Sequence, residues 1–446
     1  MTNSKVRTRF APSPTGSLHV GSLRTALYAY ALAKHEKGDF LLRIEDTDQK
    51  REVEGAREEL EKILNLFGIT WDEQYVQSER AKEGWYKKAA DKLVTEGHAF
   101  YCQCEAKNAK VEGFSTVLRD PCRDKKLTKG AIKLRVPDNE TVSYHDFVFR
   151  KEVTWKTDVV ADTTLLKSDG LLPTYHLAVV VDDTDMKISH VLRGHDWLPS
   201  TPIHLLVYKY LGFDLPQIGH LTDILDPEGG KLSKRKGSTT CEGLLKEGYL
   251  LEAIRNFVLL LGWAPKDNRE VYTTIEEIVE SFSLEGLQKS NPKYNPDKLT
   301  WFNQQYIGKL SDEELTTRIV DFYNNKYPRE VVEKLAPLVK SRLWKLTDFE
   351  SIAGYIFEEK NPIKLTDNYD NHVTKAIASL EQLETWTVEN LNTSLMKVVT
   401  DNGYKTGDFF MDLRGAIAGS KVTPPMNDTL VIMGRDETIK RLKKAL

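Results

Sequence analysis

The sequence predicts an α/β fold that is interrupted by an α+β insertion and followed by an all-α C-terminal region. Three observations predict it. A strand, loop, helix, strand, helix order opens the chain, which is typical of α/β units with parallel strands. Short β-like runs fill the part from about residue 97 to 171. After about residue 243 the pattern is mostly helical, and amphipathic helices separated by polar turns follow from about residue 311.

The first α/β segment begins with RTRFA, a predicted strand at residues 7–11. A loop punctuated by proline and glycine follows at 12–21. The next stretch, SLRTALYAYALAKHEKG, has apolar residues at helical spacing and Gly38 as its stop signal. DFLLRIED at 39–46 is a predicted buried strand, and a charged helix is predicted from about 49 to 67.

The insertion is predicted from AIKLRV, VSYHDFVF and DVVADTTLL, after which the α/β pattern resumes at TYHLAVVVDDTDM. These changes of pattern divide the chain into five predicted segments. They are the two halves of the α/β fold at 1–96 and 172–242, the insertion at 97–171, a helical segment at 243–310 and the all-α region at 311–446.

The composition is that of a globular protein rather than a disordered or membrane-spanning one. Of 446 residues, 40% are hydrophobic and 29% charged, and no apolar run approaches the roughly 18 residues of a membrane span. The first residues contain no apolar run of signal-peptide length, so a cytoplasmic location is expected. The net charge of −3 neither indicates nor excludes a nucleic-acid partner.

The loop at 12–21 has the features of an anion-binding turn. Two prolines stiffen it, and Gly16 and Gly21 remove side chains where a ligand must come close. It ends at a predicted helix N-terminus, which favours an anion. His19 could donate a hydrogen bond to a phosphate there. A purely structural turn is the alternative, and neither G-x-G-x-x-G nor the P-loop pattern is present.

A second loop, DPEGGKLSKRKGS at 226–238, combines two glycines with a cluster of cations. Such a loop can close over a polyphosphate and neutralise its charge. A solvated basic loop is the alternative. The presence of both loops in one chain favours a shared nucleotide site.

These two loops carry the signatures of a known family. HVGS at 19–22 resembles the HIGH motif, and KLSKR at 231–235 resembles the KMSKS motif, of class I aminoacyl-tRNA synthetases. TRFAPSPTGSLHVGSLRTAL with LRIEDTD resembles the glutamyl/glutaminyl branch. GDFFMDLRGAIAG at 407–419 resembles the end of bacterial-type glutamyl-tRNA synthetases, and the chain is identified as a member of that family on this resemblance.

The resemblance implies a Rossmann-like catalytic domain with the KLSKR loop in its second half. It makes the insertion an acceptor-binding connective domain, 243–310 a helical stem-contact domain, and 311–446 an α-helical anticodon-binding domain. It implies ATP with Mg²⁺, L-glutamate and tRNA(Glu) as substrates and partners, and a monomer. Glutamyl-adenylate forms first, usually with tRNA bound, and the acyl group then passes to the 3′ terminal adenosine.

Motif matches assign the residues that bind ATP and glutamate. His19 and Lys234 are expected to be catalytic. The ATP-binding residues implied by the resemblance are His19, Gly21, Lys231, Ser233 and Lys234. The glutamate-binding residues implied in the same way are Arg9, Ser13, Glu45, Tyr175 and Arg193. The two arginines suit carboxylates because guanidinium forms forked, charge-assisted hydrogen bonds, and Glu45 is expected to meet the ammonium group of the substrate.

Two positions depart from the family pattern. Ser22 stands where the HIGH motif has its second histidine, and small residues there are common in this branch. In RGHDW at 193–197, His195 stands where the branch more often has an acidic residue, which leaves its effect on ATP or tRNA contacts open.

Three of the four cysteines cluster in the insertion. Some bacterial members of the family bind zinc there with a C-x-C pair, a later cysteine and a histidine two residues beyond it. Here that position is Asp124, so the predicted ligands are Cys102, Cys104, Cys122 and Asp124. Zinc accepts carboxylate oxygen, and a lost site with free thiols is the alternative. Cys241 is expected to be a small packed residue.

Other functions stay open from the sequence alone. The enzyme could charge tRNA(Gln) as well as tRNA(Glu). A glutaminyl enzyme is disfavoured because that family normally ends in β-barrels, and a relative that glutamylates a modified tRNA base typically lacks an anticodon domain. A non-catalytic tRNA-binding paralogue is disfavoured by the intact His19, Gly21, Ser233 and Lys234.

Overall fold

The computed structural model describes residues 5–48, 53–104, 117–232 and 239–446. The chain divides into two compact units. The first comprises Met1–Leu244 and Ile254–Asn295, and the second comprises Leu245–Ala253 and Pro296–Leu446. All strands of the described part belong to the first unit, whereas the second is built from helices. No described helix has the length and apolar character needed to span a membrane.

The strands of the first unit are short, and most of its helices follow a strand. The strands are β1 (Arg7–Phe10), β2 (Asp39–Ile44), β3 (Glu73–Val76), β4 (Ala99–Cys102), β5 (Ala131–Leu134), β6 (Thr141–Asp146), β7 (Lys151–Lys156), β8 (Thr164–Leu166), β9 (His190–Gly194) and β10 (Gln217–Leu221). The helices are α1 (Val20–His35), α2 (Ala56–Leu66), α3 (Gln77–Lys82), α4 (Trp85–Thr95), α5 (Tyr175–Asp185), α6 (Thr201–Leu211), α7 (Cys241–Lys246), α8 (Leu251–Leu259) and α9 (Ile275–Ser281). Helices α7 and α8 contribute residues to both units.

Two sets of parallel strands meet at β1 and β9. β2 lies between β1 and β3, with Arg7 opposite Asp39. β9 pairs with β10, with Val191 opposite Ile218. The amide of Ser189, directly before β9, donates to the carbonyl of Arg7 at 2.9 Å and brings β9 beside β1. In the order β3-β2-β1-β9-β10, β2 and β3 are added on one side of β1, and β9 and β10 on the other. The strand order therefore reverses between β1 and β9, as in Rossmann-like doubly wound sheets. The predicted fold class is confirmed.

The apolar patterns that predicted β2 and α1 correspond to buried surfaces. Phe40, Leu41 and Leu42 of β2 are fully buried, so both faces of this strand are covered. Leu23 and Leu27 of α1 are also fully buried. Each side chain of this kind contributes about 1.5–3 kcal/mol relative to an exposed one. This core fixes the connection from β1 to α1, which spans residues 11–19, so the helix begins two residues earlier than predicted.

The end of α1 explains the glycine at position 38. The helix ends at His35, and the Gly38 amide donates to the Ala33 carbonyl at 2.6 Å. A Cβ atom at Gly38 would lie 2.0 Å from the carbonyl oxygen of Val6. The predicted stop residue therefore also permits close approach of the chain to the residue before β1.

The predicted charged helix begins later than expected. The structure has α2 at Ala56–Leu66, whereas the prediction began near residue 49, and residues 49–52 lie outside the described residues. Gly55 precedes the helix in the left-handed region, with φ of 76°. A helix cannot continue through that conformation, so the start is fixed by glycine.

The segment predicted as an insertion contributes to two sheets. β4, β5 and β8 form an antiparallel sheet of their own, in the order β4-β5-β8. β6 and β7 form an antiparallel hairpin, and β6 pairs in parallel with β10 where Asp146 lies opposite Ile218. This hairpin therefore extends the Rossmann-like sheet. The division into five segments stays a prediction.

The second unit is an all-helical structure with its own core, as the sequence predicts. Its helices are α10 (Pro296–Lys309), α11 (Asp312–Phe322), α12 (Arg329–Val339), α13 (Asp348–Ala353), α14 (Tyr369–Glu381), α15 (Val388–Asp401), α16 (Thr406–Ala418), α17 (Met426–Met433) and α18 (Arg435–Lys444). Ser311 and Glu314 form a reciprocal capping box at the start of α11, which explains a helix boundary near the predicted residue 311. Tyr369, Phe409 and Leu413 belong to the buried core.

Candidate active site

Three of the predicted substrate residues lie at or near the carboxyl ends of neighbouring strands. Arg9 lies in β1, Glu45 directly follows β2, and Arg193 lies in β9. Doubly wound sheets bind ligands in the crevice outside the carboxyl ends of their strands, where the strand order reverses. β1 and β9 are the strands at that reversal. The topology therefore places these side chains where a ligand is expected.

The HVGS loop is joined to the residues that follow the KLSKR string. The amide of Val20 donates to the Thr239 carbonyl at 3.0 Å, and the amide of Cys241 donates to the Leu18 carbonyl at 2.8 Å. Nδ1 of His19 lies 3.4 Å from the hydroxyl oxygen of Thr239. Two segments that are more than two hundred residues apart in sequence thus share one wall of the crevice.

An open space borders the N-terminus of α1. His19 is the residue before this helix and has an extended backbone, with φ of −85° and ψ of 155°. Among the described residues outside its own helix backbone, the nearest atom to a Cβ atom at Gly21 would be Cδ1 of Ile224, at 4.0 Å. The unpaired N–H groups of a helix N-terminus attract an anion. The arrangement can therefore accept a phosphate group beside the imidazole.

Lys231 of the KLSKR string is held by two carboxylates. Its Nζ atom lies 3.1 Å from Oδ1 of Asp223 and also contacts Asp196. Partial burial lowers the pKa of Lys231, but the hydrogen bonds to Asp196 and Asp223 outweigh this and hold the pKa above its ordinary value. The ammonium group is therefore charged at neutral pH. Ser233 and Lys234, the other two residues predicted to bind phosphate from this string, lie outside the described residues.

His195 lies beside the carboxylate that holds Lys231. Its Nδ1 atom is 3.8 Å from Oδ2 of Asp223, and its ring meets the ring of Phe149 edge-on with centroids 5.7 Å apart. The position that departs from the family pattern is thus next to the basic string.

Arg9 and Glu45 belong to a buried network of charges. Asp183 accepts hydrogen bonds from Nε of Arg9 at 3.1 Å and from Nη1 of Arg43 at 2.5 Å. Nη2 of Arg43 in turn donates to Glu45 at 3.1 Å. Burial raises the pKa of Glu45, and the charges of Arg43 and Arg9 oppose that rise. Arg43 and Asp183, which the motif comparison does not identify, therefore fix the two predicted pocket residues.

Arg193 is surrounded by neutral side chains. Its guanidinium donates to the hydroxyls of Tyr175 at 3.1 Å and Thr201 at 2.8 Å. It also donates to His204 Nδ1 and His220 Nε2, each at 3.0 Å. Within the described ranges, no carboxylate oxygen lies within 4.0 Å of its nitrogens. A buried cation without a carboxylate partner is costly, which indicates that a ligand supplies the anion.

A second set of residues missed by sequence reasoning holds His220. Its Nδ1 atom lies 2.7 Å from Oδ2 of Asp146, and the hydroxyl of Tyr144 donates to the same oxygen at 2.7 Å. All three residues are buried. Asp146 and Tyr144 lie in β6, so the hairpin of the predicted insertion supports the candidate pocket.

Ser13 and Tyr175 differ in how the structure places them. Tyr175 bonds to Arg193, and its ring centroid lies 4.2 Å from that of Trp197. Burial raises the pKa of Tyr175, so the phenol keeps its proton. Ser13 is exposed, and in the described part of the chain no side-chain hydrogen bond links it to the other pocket residues. Its carbonyl accepts the amide of Thr15 at 2.8 Å.

Three cysteines and one aspartate form a cluster in the predicted insertion. The possible ligand atoms lie within 4.8 Å of one another, and they belong to Cys102, Cys104, Asp120 and Cys122. Asp124, the fourth ligand predicted from the sequence, is outside the cluster, because its exposed carboxylate pairs with Arg135 at 2.9 Å. The structure thus replaces Asp124 with Asp120, whose carboxylate accepts the amide of Cys122 at 2.8 Å. Cys241 is fully buried, as expected for a packed residue.

The fold and the site together define a class of enzyme. The catalytic domain of class I tRNA synthetases (E and Q) matches residues 5–301, and the anticodon binding domain matches residues 313–446. The chain belongs to the class I tRNA synthetases of the E and Q type. Members of this class are ligases that use ATP to join an amino acid to tRNA.

Relatives that match over the whole chain are glutamate–tRNA ligases. The chain is 37% identical to that of Dehalococcoides mccartyi strain 195, covering 100% of this chain and 98% of the relative. It is 37% identical to that of Clostridium botulinum strain Hall, covering 99% and 98%. A crystal structure of a glutamate tRNA ligase from Elizabethkingia meningosepticum, in complex with its amino acid, matches with a TM-score of 0.84, 31% identity and 99% of both chains.

Proposed function

We propose that this chain is a glutamate–tRNA ligase whose pocket recognises the glutamate side chain through Arg193. The observation that carries this assignment is the buried guanidinium without a carboxylate partner among the described residues. A substrate carboxylate would supply the missing charge and accept a charge-assisted hydrogen bond from Nη2 of Arg193. An amide would bring no charge, so the pocket favours glutamate over glutamine.

The remaining charges suit the other groups of glutamate. Glu45, whose carboxylate is fixed by Arg43 at 3.1 Å, would bind the substrate ammonium. Arg9 retains N–H groups beyond those that bind Asp183, and would hold the α-carboxylate near the nucleotide. This orientation would present the α-carboxylate to the phosphate chain of ATP.

The first reaction joins a glutamate α-carboxylate oxygen to the α-phosphorus of ATP while the bond to the β-phosphate oxygen breaks and pyrophosphate leaves. His19 would donate to the phosphates at the N-terminus of α1, and Gly21 would leave room for the nucleotide. Lys231, Ser233 and Lys234 would bind the departing phosphates. Mg²⁺, when bound with ATP, supplies positive charge to the phosphate oxygens.

In the second reaction a ribose hydroxyl of the 3′ terminal adenosine attacks the glutamyl carbonyl, and AMP leaves. We assign acceptor-end binding to residues 97–171, stem contact to 243–310 and anticodon binding to 311–446. We further propose a monomer that acts in the cytoplasm, where tRNA is charged.

The cysteine cluster has the donor set of a structural zinc site. Three thiols and one carboxylate suit tetrahedral zinc, and the backbone amide of Cys104 points at Cys102 Sγ, 3.4 Å away, as a donor that would stabilise a thiolate. Zinc bound there would fix the fold of the insertion and take no part in the chemistry. Cys102 lies in β4, which belongs to the separate β4-β5-β8 sheet, whereas Arg9 and Arg193 lie in β1 and β9.

The assignment is tested by charging purified tRNA(Glu) and tRNA(Gln) side by side with labelled glutamate, and again with labelled glutamine. We expect glutamate on tRNA(Glu) and none of the glutamine product. Charging of both tRNAs would show a non-discriminating enzyme. No charging, together with no glutamate- and tRNA-dependent ATP–pyrophosphate exchange, would overturn the proposal in favour of a non-catalytic tRNA-binding protein.

A matched pair of variants tests the basic string. Lys234→Ala should reduce the charging rate by about 100-fold or more while tRNA binding is largely retained, since an electrostatic contact made in the transition state is lost. Lys266→Ala, an exposed lysine paired with Glu285 at 3.8 Å, is the control and should charge normally. An unchanged rate for Lys234→Ala would remove Lys234 from the mechanism.

A further inference from the structure

The guanidinium of Arg193 has almost all of its donors occupied by neutral acceptors. A guanidinium carries five N–H groups and no lone pair. Nε donates to His220, Nη1 donates to Tyr175 and His204, and Nη2 donates to Thr201. One N–H of Nη2 has no acceptor in the part of the chain that the structure describes, and it can bind a ligand. The position of the fork is therefore set before any substrate arrives.

The hydrogen bonds determine which ring nitrogens carry protons. Nε2 of His220 and Nδ1 of His204 each face a guanidinium N–H, so both nitrogens must be unprotonated. The proton of His220 is then on Nδ1 and is donated to Asp146 at 2.7 Å. The proton of His204 is on Nε2, which lies 3.3 Å from Nδ1 of His176. Each imidazole is consequently neutral in this arrangement.

The nearby negative charge of Asp146 is satisfied by other donors. Its carboxylate accepts the amides of Val148 at 3.0 Å and Phe149 at 2.9 Å, and the hydroxyl of Tyr144 at 2.7 Å. These bonds hold Asp146 in place, and the His220 ring lies between Asp146 and Arg193. Burial lowers the pKa of His220 to about 4, which agrees with a neutral ring between the two charges.

Arg9 provides the contrast within the same pocket. It is buried like Arg193, but its guanidinium meets the carboxylate of Asp183 at 3.1 Å. The chain therefore neutralises one pocket arginine internally and surrounds the other with imidazoles and hydroxyls.

We propose that His204 and His220 are specificity-determining positioning residues: they hold the fork of Arg193 with neutral acceptors and so reserve its charge for a substrate carboxylate. This inference rests on the proposed function, because it assumes that Arg193 binds the glutamate side chain. A carboxylate at either histidine position would pair with Arg193 and remove the preference for an anionic side chain. An amide at the same position would keep a neutral acceptor.

The test compares His204→Glu with His204→Gln in the full-length chain. Charging of tRNA(Glu) is measured with glutamate and ATP varied separately. His204→Glu should raise the KM for glutamate by about 10- to 100-fold, the effect of losing one charge-assisted interaction, while the KM for ATP changes by less than about threefold. His204→Gln should stay within about fivefold of the unmodified enzyme in both constants.

A matched control is His145→Glu. His145 is an exposed residue of β6 between Tyr144 and Asp146, so a glutamate there adds the same charge on the opposite face of the strand. It should leave both KM values unchanged. If His204→Glu does not fold, as judged by its circular dichroism, His220→Gln and His220→Ala provide the second comparison. We expect His220→Gln to retain the selectivity for glutamate over glutamine. His220→Ala should lose at least about tenfold of that selectivity.

The outcomes separate this inference from the proposed function. If the unmodified chain charges tRNA with glutamate and His204→Glu keeps the normal KM for glutamate, the role of the histidines is refuted while the enzyme assignment stands. A rise in both KM values together for His204→Glu and His204→Gln indicates a merely structural role and also overturns it. An unmodified chain that is inactive overturns the enzyme assignment itself.

Discussion

Replacing Arg193 by lysine keeps a positive charge in the pocket but removes its forked shape. In the free protein the guanidinium donates to side chains at 2.8–3.1 Å, two of which are buried imidazoles. An ammonium group on a different stem cannot reach both imidazoles and both hydroxyls. At least one buried acceptor loses its donor, which costs about 1–3 kcal/mol. We expect Arg193→Lys to lower the free energy of unfolding of the first unit by that amount.

The same change should weaken glutamate binding. The lysine ammonium cannot occupy the position of Nη2, so the charge-assisted hydrogen bond to the substrate carboxylate is weakened. The loss of about 1.5–3 kcal/mol corresponds to roughly a 10- to 150-fold rise in KM for glutamate. The assay is steady-state charging of tRNA(Glu) with glutamate and ATP varied in turn. Arg57→Lys, at a partly exposed helix position paired with Glu61, is the matched control. A normal KM for glutamate in folded Arg193→Lys protein would refute the assignment of Arg193 to the substrate.

Three further predictions follow from the buried charges and the cysteine cluster. Asp183→Asn removes the carboxylate that Arg9 and Arg43 share, while Arg43 keeps its bond to Glu45. It should lower the free energy of unfolding by about 3–5 kcal/mol in urea titrations. A loss below about 1 kcal/mol would contradict the role of this shared ion pair. Asp120→Asn should weaken zinc retention by roughly 10- to 100-fold in metal-competition titrations, whereas Asp124→Asn should not. The reverse result would restore Asp124 as the fourth ligand. Burial lowers the pKa of His220 to about 4, so the unfolded chain, with a pKa near about 6.5, takes up a proton first as the pH falls. This contribution to stability is complete above about pH 6.5 and is lost towards pH 4, by about 2–3 kcal/mol. A urea midpoint that is the same at pH 7 and pH 4.5 would contradict it.

The fold class could be predicted because each central element has the sequence pattern of one kind of secondary structure. β2 is a continuous apolar run and is buried on both faces, whereas α1 places leucines at helical spacing on a buried face. The start of α2 could not be predicted from charge alone, because the backbone of Gly55 decides it. The pairing of β6, within the predicted insertion, with β10 could not be predicted, because pairing between distant strands leaves no local signal.

The pocket was predictable where a motif fixes a residue and not where tertiary structure supplies its support. Arg193 and Glu45 follow from motif matches. His220 and Asp146 are 74 residues apart, and no spacing rule connects them. Asp120 and Asp124 both lie two residues from Cys122, on opposite sides, so sequence distance could not choose between them. The turn in which the Cys122 amide bonds to Asp120 makes the choice.

The hairpin of β6 and β7 has a consequence for attempts to shorten this protein. β10 lies between β9 and β6, so removal of residues 97–171 would strip one side of β10 of its hydrogen-bonding partner. A bare strand edge of this kind templates pairing with another chain. A truncated version would therefore tend to self-associate and precipitate, and a minimal active fragment has to retain residues 141–156.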